Sequence, residues 1–266
     1  MIILLHGKST IALPNEERPT IKRRELIRMG FENLMNGLRK RGRKFVLPIE
    51  EVGTVLSSSL KNPSKKDCLK VIDFGSGTLF WTEFMMKNIT CRYEIYAVDP
   101  IYGKSSFDIS SIKPEAAPFV KISDKDNLSI AEANTKNGRI FLLDDIEKIP
   151  DICERFDLMF MCDVIHHLEA PYWERIFDLF LQRVDTFVIK DINAHQKIGN
   201  TLNKLHDKLI NGENIVDVYP DTIRNKFIEK DFSVSDIKLV PKLWYPHFII
   251  KADSNKKLSF VSENIT

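Results

Sequence analysis

The stretch "KVIDFGSGTLFW", Lys70 to Trp81, decides the fold. Apolar and β-branched residues run into an aspartate, two glycines follow with one residue between them, and an apolar, helix-compatible run comes next. Because Gly75 and Gly77 have no side chain, the chain can turn tightly there and a ligand can approach the backbone closely. The pattern predicts a strand, a ligand-binding loop and a helix, and residues further along must identify the ligand.

The rest of the chain alternates short β-type runs with helical runs. The strands are predicted at Leu69–Phe74, Glu94–Val98, Ile140–Leu143, Leu158–Cys162 and Thr186–Lys190, and the helices around 79–88, 171–183 and 197–211. This alternation predicts a parallel sheet with helices on both faces. After a helix near Asp221–Lys230, the runs "SDIKLV" and "HFIIKA" are joined by only "PKLWYP", so they must pair antiparallel.

Composition limits the class of protein. At 266 residues, with 43% apolar and 29% charged residues, the chain has room for one large globular domain with a smaller appendage. Its apolar runs are much shorter than the ~18 residues of a membrane-spanning helix, and no signal-peptide pattern is present. The four cysteines have no CxxC spacing, which argues against disulfides and zinc, so we expect a cytoplasmic protein without a metal.

The N-terminal quarter is basic. Residues 1–67 have a net charge of +7 and the remainder −5. Helices are predicted from Ile21 to about Leu38 and between Pro48 and Leu60, and "KNPSKKD" has the turn chemistry of a linker. We therefore predict a helical appendage at 1–67, the main domain at 68–252 and a tail at 253–266. The excess charge could attract nucleic acid, anionic lipid or a phosphorylated substrate, or form a solvated surface.

An acidic residue on the next strand limits the class of ligand that the loop can bind. Asp99 ends the strand of "YEIYAVDP", 22 residues after Gly77, where its carboxylate could accept hydrogen bonds from both ribose hydroxyls. A dinucleotide fingerprint requires a third glycine at position 80, which is Phe80, and "HGKST" lacks the leading glycine of a P-loop. An adenosyl cofactor without pyrophosphate remains, and S-adenosylmethionine fits.

Four motifs, "VIDFGSGTLF", "IYAVDP", "FLLDDIEKIP" and "FDLMFMCDVIHHL", resemble in order and spacing the cofactor motifs of class I S-adenosylmethionine-dependent methyltransferases. The resemblance implies a Rossmann-like, doubly wound α/β fold with a mostly parallel seven-stranded sheet closed by an antiparallel C-terminal hairpin. It also implies that Asp73 and Gly75 lie beside the methionine part of the cofactor and that Asp99 holds the ribose. Asp145 and Ile146 would flank the adenine. The residues around Cys162 and Asp163 would line the cofactor next to the transferred methyl group. The implied cofactor-binding set is Asp73, Phe74, Gly75, Ser76, Gly77, Asp99, Pro100, Asp145, Ile146, Cys162 and Asp163.

A hydroxyl acceptor would also require a base near the strand ends. We predict a catalytic cluster of His166, which follows the fourth strand, Asp191, which follows the fifth, and His206 in the next helix. Ile198, Leu202, Leu205 and Leu209 form an apolar stripe on that helix, which predicts that the stripe turns the helix down onto the opening.

The acceptor class rests on the resemblance. The "DVIHHL" type is most often seen with small-molecule, lipid or saccharide acceptors, so we expect methyl transfer to a hydroxyl of such a molecule. One alternative is ribose 2′-O-methylation of RNA, with Asp163, Lys190 and the basic N-terminal segment taking part. Another is a non-catalytic, cofactor-binding partner subunit. Metal-assisted transfer would require carboxylates after the fourth and fifth strands. Asp163, Asp191 and Asn193 lie there, but the spacing between the last two is wrong, so this chemistry is disfavoured.

Overall fold

A computed structural model describes residues 47–61, 67–105, 107, 119–121, 130–210, 212, 214–242 and 245–258. The helix predicted from Ile21 to Leu38, the basic run Arg39–Lys44 and the end of the predicted tail, residues 259–266, lie outside these ranges. The predicted linker is described only at its two ends.

A single sheet of ten strands organises the described part of the chain. The strands are β1 (Cys68–Phe74), β2 (Arg92–Val98), β3 (Val120–Lys121), β4 (Ala131–Asn134), β5 (Gly138–Leu143), β6 (Phe156–Cys162), β7 (Val184–Ile192), β8 (Phe232–Val234), β9 (Lys238–Lys242) and β10 (Tyr245–Ser254). Their order is β3-β4-β5-β2-β1-β6-β7-β10-β8, with β9 also beside β10. The central strands β5, β2, β1, β6 and β7 pair in parallel, as predicted.

Six helices accompany the sheet in the described ranges: α1 (Ile49–Leu60), α2 (Phe80–Asn88), α3 (Ile149–Ile152), α4 (Ala170–Phe180), α5 (Lys197–Ile210) and α6 (Pro220–Glu229). On one face, α4 and α6 bury aromatic side chains such as Phe177 and Phe227 against Phe187 of β7. On the other face, α1 and α2 form a second core with alternate residues of the same strands. Helices on both faces explain why all nine residues of β7 are buried.

Helix α1 lies on the appendage side of the predicted boundary at residue 67. Its Val52, Leu56 and Leu60 side chains are at most 1% exposed, and they pack in the core beneath β1. The apolar residues at spacings of four therefore point to the sheet, as expected for one face of a helix. The rest of the predicted appendage, residues 1–46, lies outside the described ranges.

The C-terminal strands close the sheet antiparallel, as predicted. The long strand β10 runs against β7, with His247 opposite Ile192 and Asp253 opposite Thr186. Strand β9 pairs with the first half of β10, and β8 pairs with its last residues.

The α/β fold class is confirmed, but the sheet has more strands than the seven predicted. Strands β3, β4 and β8 contain two, four and three residues. Runs this short carry too little period-2 alternation to be recognised in a sequence.

Parallel pairing brings the carboxyl ends of the central strands to one edge of the sheet. Gly75 follows β1, Asp99 follows β2, Asp145 lies two residues beyond β5, and Asp163 follows β6. This edge is where ligands bind in doubly wound sheets. None of the helices in the described ranges combines the length and apolar content needed to cross a membrane.

Candidate functional site

The loop after β1 requires glycine at both of its glycine positions. Gly75 and Gly77 have φ values of +75° and +49°, a region that other residues adopt only with strain. The backbone N–H groups of Gly75 and Ser76 donate to the Val98 carbonyl at 2.8 and 3.1 Å, which ties the loop to β2. A Cβ at Gly75 would lie 2.2 Å from Cγ2 of Val164, so the loop passes directly against the segment that follows β6.

Asp99 anchors this loop from the neighbouring strand. Its Oδ2 accepts from the Gly77 N–H at 2.9 Å, and its Oδ1 accepts from the Ile101 N–H at 2.9 Å. The second bond caps the 3₁₀ turn that begins at Pro100. The Asp99 carboxylate thus holds the loop in position, in addition to the ribose contact expected of it from the sequence.

Tyr102, which the sequence did not point to, supports the same loop from below. Its hydroxyl donates to the Gly77 carbonyl at 2.9 Å and lies 2.7 Å from the Ser76 hydroxyl. The side chain is buried, and this burial raises the pKa of the phenol. The phenol therefore stays protonated and remains a donor at neutral pH.

Asp73 is a buried acid at the end of β1. It is 2% exposed, and its Oδ2 accepts a 2.5 Å hydrogen bond from the Thr82 hydroxyl. Burial raises the pKa of Asp73 to about 7, and the Asp99 charge adds to the rise against the lowering effect of the Thr82 bond. A carboxyl group with this pKa is partly protonated at neutral pH.

Three bulky residues follow the glycines, and the fold accommodates all three. Leu79 is fully buried with φ +62° and begins helix α2. The Trp81 ring packs edge-on against Phe160 of β6 at 5.4 Å between centroids, while Phe80 is 37% exposed. The size of these side chains therefore leaves the loop geometry intact.

At the end of β5, two adjacent aspartates make different contacts. Asp145 Oδ1 accepts from the Glu147 N–H at 3.0 Å and caps a short 3₁₀ turn, and Ile146 is buried in the core. Asp144 instead forms an ion pair with Lys148 at 2.6 Å. Asp144 is therefore already paired, while Asp145 is held by a single backbone bond at the edge of the sheet.

Asp163 and Lys190 form an ion pair where β6 and β7 end. The Lys190 ammonium donates to both carboxylate oxygens of Asp163, and Lys190 is only 1% exposed. Burial alone would raise the pKa of Asp163, but the charges of Lys190, His247 and His166 hold it below its usual value. Next to this pair, burial and the Asp163 charge raise the pKa of the Cys162 thiol well above its usual range.

His166 and Asp191, two of the three predicted catalytic residues, are in direct contact. The Nδ1 atom of His166 lies 2.5 Å from Oδ1 of Asp191, and both side chains are buried. Oδ2 of Asp191 also accepts from the Ile165 N–H at 2.9 Å, which fixes the carboxylate. Burial by itself would lower the pKa of His166, but Asp191, with the carboxylates of Asp163 and Asp207, raises it.

Helix α5 lies over this end of the sheet with its polar face inward. Its buried residues include Asn200, Asn203 and Asp207. The apolar stripe faces solvent instead: Ile198, Leu202, Leu205 and Leu209 are 82%, 41%, 52% and 68% exposed. The prediction that this stripe turns the helix down onto the opening is therefore wrong. Buried Asn200 has a partner that the sequence pattern does not show: it donates to Asp217 at 2.5 Å.

His206, the third predicted catalytic residue, lies at the side of α5. Its Nδ1 is 3.8 Å from Oδ1 of Asp207, and its ring lies 6.1 Å from that of Tyr245. Asp207, rather than His206, adds its charge to the environment of His166. One turn before Asp207, the buried Nδ2 of Asn203 has no hydrogen-bond partner within the described part of the chain.

Asp163, His166 and Asp191 offer three potential metal-ligand atoms within 4.8 Å of one another. These potential ligand atoms already form hydrogen bonds. Lys190 donates to both oxygens of Asp163, and Asp191 accepts from His166 and from backbone N–H groups. A cation would have to displace the Lys190 ammonium to reach Asp163. These residues fit a hydrogen-bonded proton-transfer site better than a metal site.

Sequence reasoning missed several members of this edge. Thr82 and Tyr102 support the loop through hydroxyl groups that have no motif of their own. Asn203 was concealed because the apolar stripe suggested the opposite orientation of α5. The Asp163–Lys190 ion pair, by contrast, has a signal in the sequence. Lys190 lies inside the strand "TFVIKDI", where a lysine can be buried only with an acidic partner.

Comparison with known proteins identifies the fold. No protein-family model and no curated protein sequence matches this chain. Among solved structures, magnesium protoporphyrin IX methyltransferase from Synechocystis PCC 6803 with bound SAH has a TM-score of 0.53 at 13% identity, over 87% of this chain and 99% of that one. The same enzyme with bound SAM has a TM-score of 0.51 at 11% identity, over 89% and 99%.

A second enzyme has a similar fold. The O-methyltransferase family 2 protein from Planctomyces limnophilus DSM 3776, in complex with apigenin, has a TM-score of 0.51 at 13% identity. The match covers 89% of this chain and 63% of that one. The chain therefore has the fold of class I S-adenosylmethionine-dependent methyltransferases, as the sequence motifs predicted.

Proposed function

We propose that this protein is an S-adenosylmethionine-dependent methyltransferase that acts on a hydroxyl of a small-molecule, lipid or saccharide acceptor. The observation that carries the proposal is the buried contact of His166 Nδ1 with Asp191 Oδ1 at the carboxyl ends of β6 and β7. This pair lies on the same sheet edge as the glycine loop, and Gly75 touches the segment that leads into His166.

The residues after β1, β2 and β5 fit the cofactor. The positive φ values of Gly75 and Gly77 leave a backbone surface without side chains, and Asp99 lies at its rim. We assign the methionine part of the cofactor to Asp73 and Gly75, the ribose to Asp99 and the adenine to Asp145 and Ile146. Two fold neighbours contain bound SAH and SAM, which supports S-adenosylmethionine as the cofactor. The cofactor supplies an activated electrophilic methyl group.

The protein's own contribution is to orient the acceptor and to remove its proton. The contact with Asp191 through Nδ1 leaves Nε2 of neutral His166 as the proton acceptor. Asp191 fixes the tautomer of His166 and stabilises the imidazolium that forms when the hydroxyl proton arrives. A base positioned in this way contributes about 10²–10⁴-fold to a rate.

The polar face of α5 favours an acceptor with several hydrogen-bonding groups. Asp207 is buried on this face, and the Nδ2 of Asn203 is a buried donor. A buried donor costs free energy unless it has a partner, so an acceptor oxygen at this position would be recognised. We assign acceptor contact to Asn203 and Asp207 and the base to His166, with Asp191 as its positioning residue.

Methyl transfer can be tested with S-adenosylmethionine labelled in its methyl group. The protein is incubated separately with pools of small molecules, lipids, saccharides and RNA, and the labelled product is identified by mass spectrometry. Label on a hydroxyl of one of the first three pools that is lost in His166→Ala supports the proposal. Label on RNA ribose would favour the RNA alternative, and no label in any pool would favour a non-catalytic cofactor-binding subunit.

Cofactor binding is tested separately by titrating S-adenosylhomocysteine in a calorimeter. Asp99→Ala removes hydrogen bonds to a charged group, each worth about 1.5–3 kcal/mol, so affinity should fall at least about tenfold. Asp145→Ala should weaken binding less, because it removes one cap at the adenine end. Unchanged affinity in a folded Asp99→Ala variant would remove Asp99 from the site.

A further inference from the structure

Helix α5 presents an apolar surface to solvent along its whole length. Ile198, Leu202, Leu205 and Leu209 follow one another at spacings of four, three and four residues, so they lie on one face. Their exposed fractions run from 41% to 82%. A single exposed apolar residue on a protein surface needs no explanation, but four on one face of a helix do. We call these four residues the α5 stripe.

The orientation of α5 is fixed by its opposite face. Asn200 donates to Asp217 at 2.5 Å, and Lys204 pairs with the same carboxylate at 2.7 Å. Asp207 is buried where its charge acts on His166. Rolling the helix over to bury the stripe would break these contacts and expose the polar groups that now point to the sheet. The α5 stripe is therefore an outer surface of the described fold.

The surroundings of the stripe indicate what it contacts. Lys197 and Lys208 lie along one side of it, and the single acidic residue of α5, Asp207, is on the buried face. His195, two residues before the helix, packs edge-on against the 41% exposed ring of Tyr219, with 5.0 Å between the ring centroids. An apolar stripe with lysines on one side and an aromatic residue at one end is typical of a helix that lies in a membrane interface.

We propose that the α5 stripe docks the protein on an anionic lipid surface, with the leucines at the boundary between headgroups and acyl chains and the lysines on the phosphates. A second copy of the chain fits less well, because a symmetric contact would place this surface against itself and it offers no acidic group to the lysines. Since Asp207 on the other face of α5 lies close enough to His166 for its charge to act there, docking would hold that edge of the sheet next to the bilayer.

The test is vesicle co-sedimentation with the full chain, which needs no activity readout. Vesicles contain either phosphatidylcholine alone or equal parts of phosphatidylcholine and phosphatidylglycerol. We expect binding to the anionic vesicles only. The double variant Leu205→Gln/Leu209→Gln should bind roughly 10- to 100-fold more weakly, since two apolar side chains no longer insert. Lys208→Glu should weaken binding by about fivefold or more at low salt.

A matched control is Ile228→Gln, which changes a 50% exposed apolar residue on α6 and should leave vesicle binding unchanged. Equal binding of the wild type and the double variant, or no binding to anionic vesicles, would overturn the proposal. So would a wild-type dimer in analytical ultracentrifugation that the double variant dissociates, since the stripe would then contact a second copy. A large fall in the melting temperature of the double variant would mean that the chain itself covers the stripe.

Discussion

The Lys190 ammonium lies against the Asp163 carboxylate and donates to both of its oxygens, although Lys190 is on an interior strand of the sheet and only 1% exposed. Parallel pairing of β6 and β7 sets Cys162 opposite Lys190, so Asp163 emerges one residue beyond the lysine. Asp163 adopts φ +57° there, and its N–H donates to the Lys190 carbonyl. Both the backbone and the side chains of the two residues are thus joined.

Removing one partner of this pair should be far more harmful than removing both. Lys190→Met leaves the Asp163 carboxylate without its cation, and we expect a loss of about 2–4 kcal/mol in the free energy of unfolding. This lies below the ~3–5 kcal/mol of fully buried pairs because Asp163 is 30% exposed. The double variant Lys190→Met/Asp163→Asn should recover most of the loss. Urea unfolding measures both, and equal losses would show that packing of Lys190, rather than charge pairing, matters.

The His166–Asp191 contact predicts the pH dependence of turnover. Asp191 and its acidic neighbours raise the pKa of His166, so the neutral base is lost as the pH falls through a value above the ordinary ~6.5. In Asp191→Asn the pKa of His166 should fall, and the acid limb of kcat/KM should move to lower pH while the plateau drops. S-adenosylhomocysteine affinity is the control and should be unchanged. An acid limb that stays in place in Asp191→Asn would contradict the assignment of His166 as the titrating base.

Asp73 predicts a pH dependence of stability. Its pKa is raised to about 7 in the folded protein, so the folded state binds this proton more tightly than the unfolded chain. The stabilisation from this group is complete below the unfolded pKa of ~3.9 and is lost as the pH rises to about 7. Asp73→Asn lacks this loss, so its free energy of unfolding relative to wild type should increase between pH 5 and pH 8 by up to about 3 kcal/mol.

Urea unfolding of the cofactor-free protein at both pH values measures this difference. Asp145→Asn is the matched control, because it also changes a carboxylate at a strand end and keeps a capping oxygen. Parallel behaviour of Asp73→Asn and wild type would mean that Asp73 is ionised at pH 5 as well.

The two glycines should differ in their tolerance of alanine. At Gly77 the nearest atom to an added Cβ is Asp99 Oδ2 at 3.9 Å, so Gly77→Ala has only the backbone strain of about 1–2 kcal/mol. Gly75→Ala adds a collision with Val164 at 2.2 Å, which should bring its loss to about 2–5 kcal/mol.

Thermal and urea unfolding of Gly75→Ala, Gly77→Ala, Val164→Ala and the double variant Gly75→Ala/Val164→Ala separate the backbone strain from the collision. In Gly75→Ala/Val164→Ala the collision is removed, and the remaining loss, after subtracting that of Val164→Ala, should approach the Gly77→Ala value. No rescue by Val164→Ala would mean that the backbone conformation alone accounts for the glycine at position 75.

The sequence predicted the parallel strands, the antiparallel closure and the contact of His166 with Asp191 because each depends on order along the chain. Strand ends of a parallel sheet meet at one edge, so residues that follow neighbouring strands are brought together whatever the details of packing. The orientation of α5 could not be predicted in the same way. Its apolar stripe would normally face the core, and only the distant partners Asp217 and His166 make the polar face the buried one.

The supporting residues were also beyond the sequence. Tyr102 and Thr82 act through single hydroxyl groups whose partners, Gly77 and Asp73, lie 25 and 9 residues away. Nothing in the local pattern distinguishes such residues from other buried tyrosines and threonines. Short strands such as β3, with two residues, likewise form only because a neighbour is already in place.

The position of β10 has a consequence for biosynthesis. Strand β7, which is buried along all nine residues and has the apolar run Phe187–Ile189 at its centre, is an open edge until residues 245–254 have been made and have paired with it. Open apolar edges can pair with other chains, and domains emerge from the ribosome N-terminus first at about 5–20 residues per second. The nascent protein therefore passes through a stage in which five parallel strands are complete but their edge is unprotected. Chaperone binding should be strongest in that interval and should end when β10 is in place.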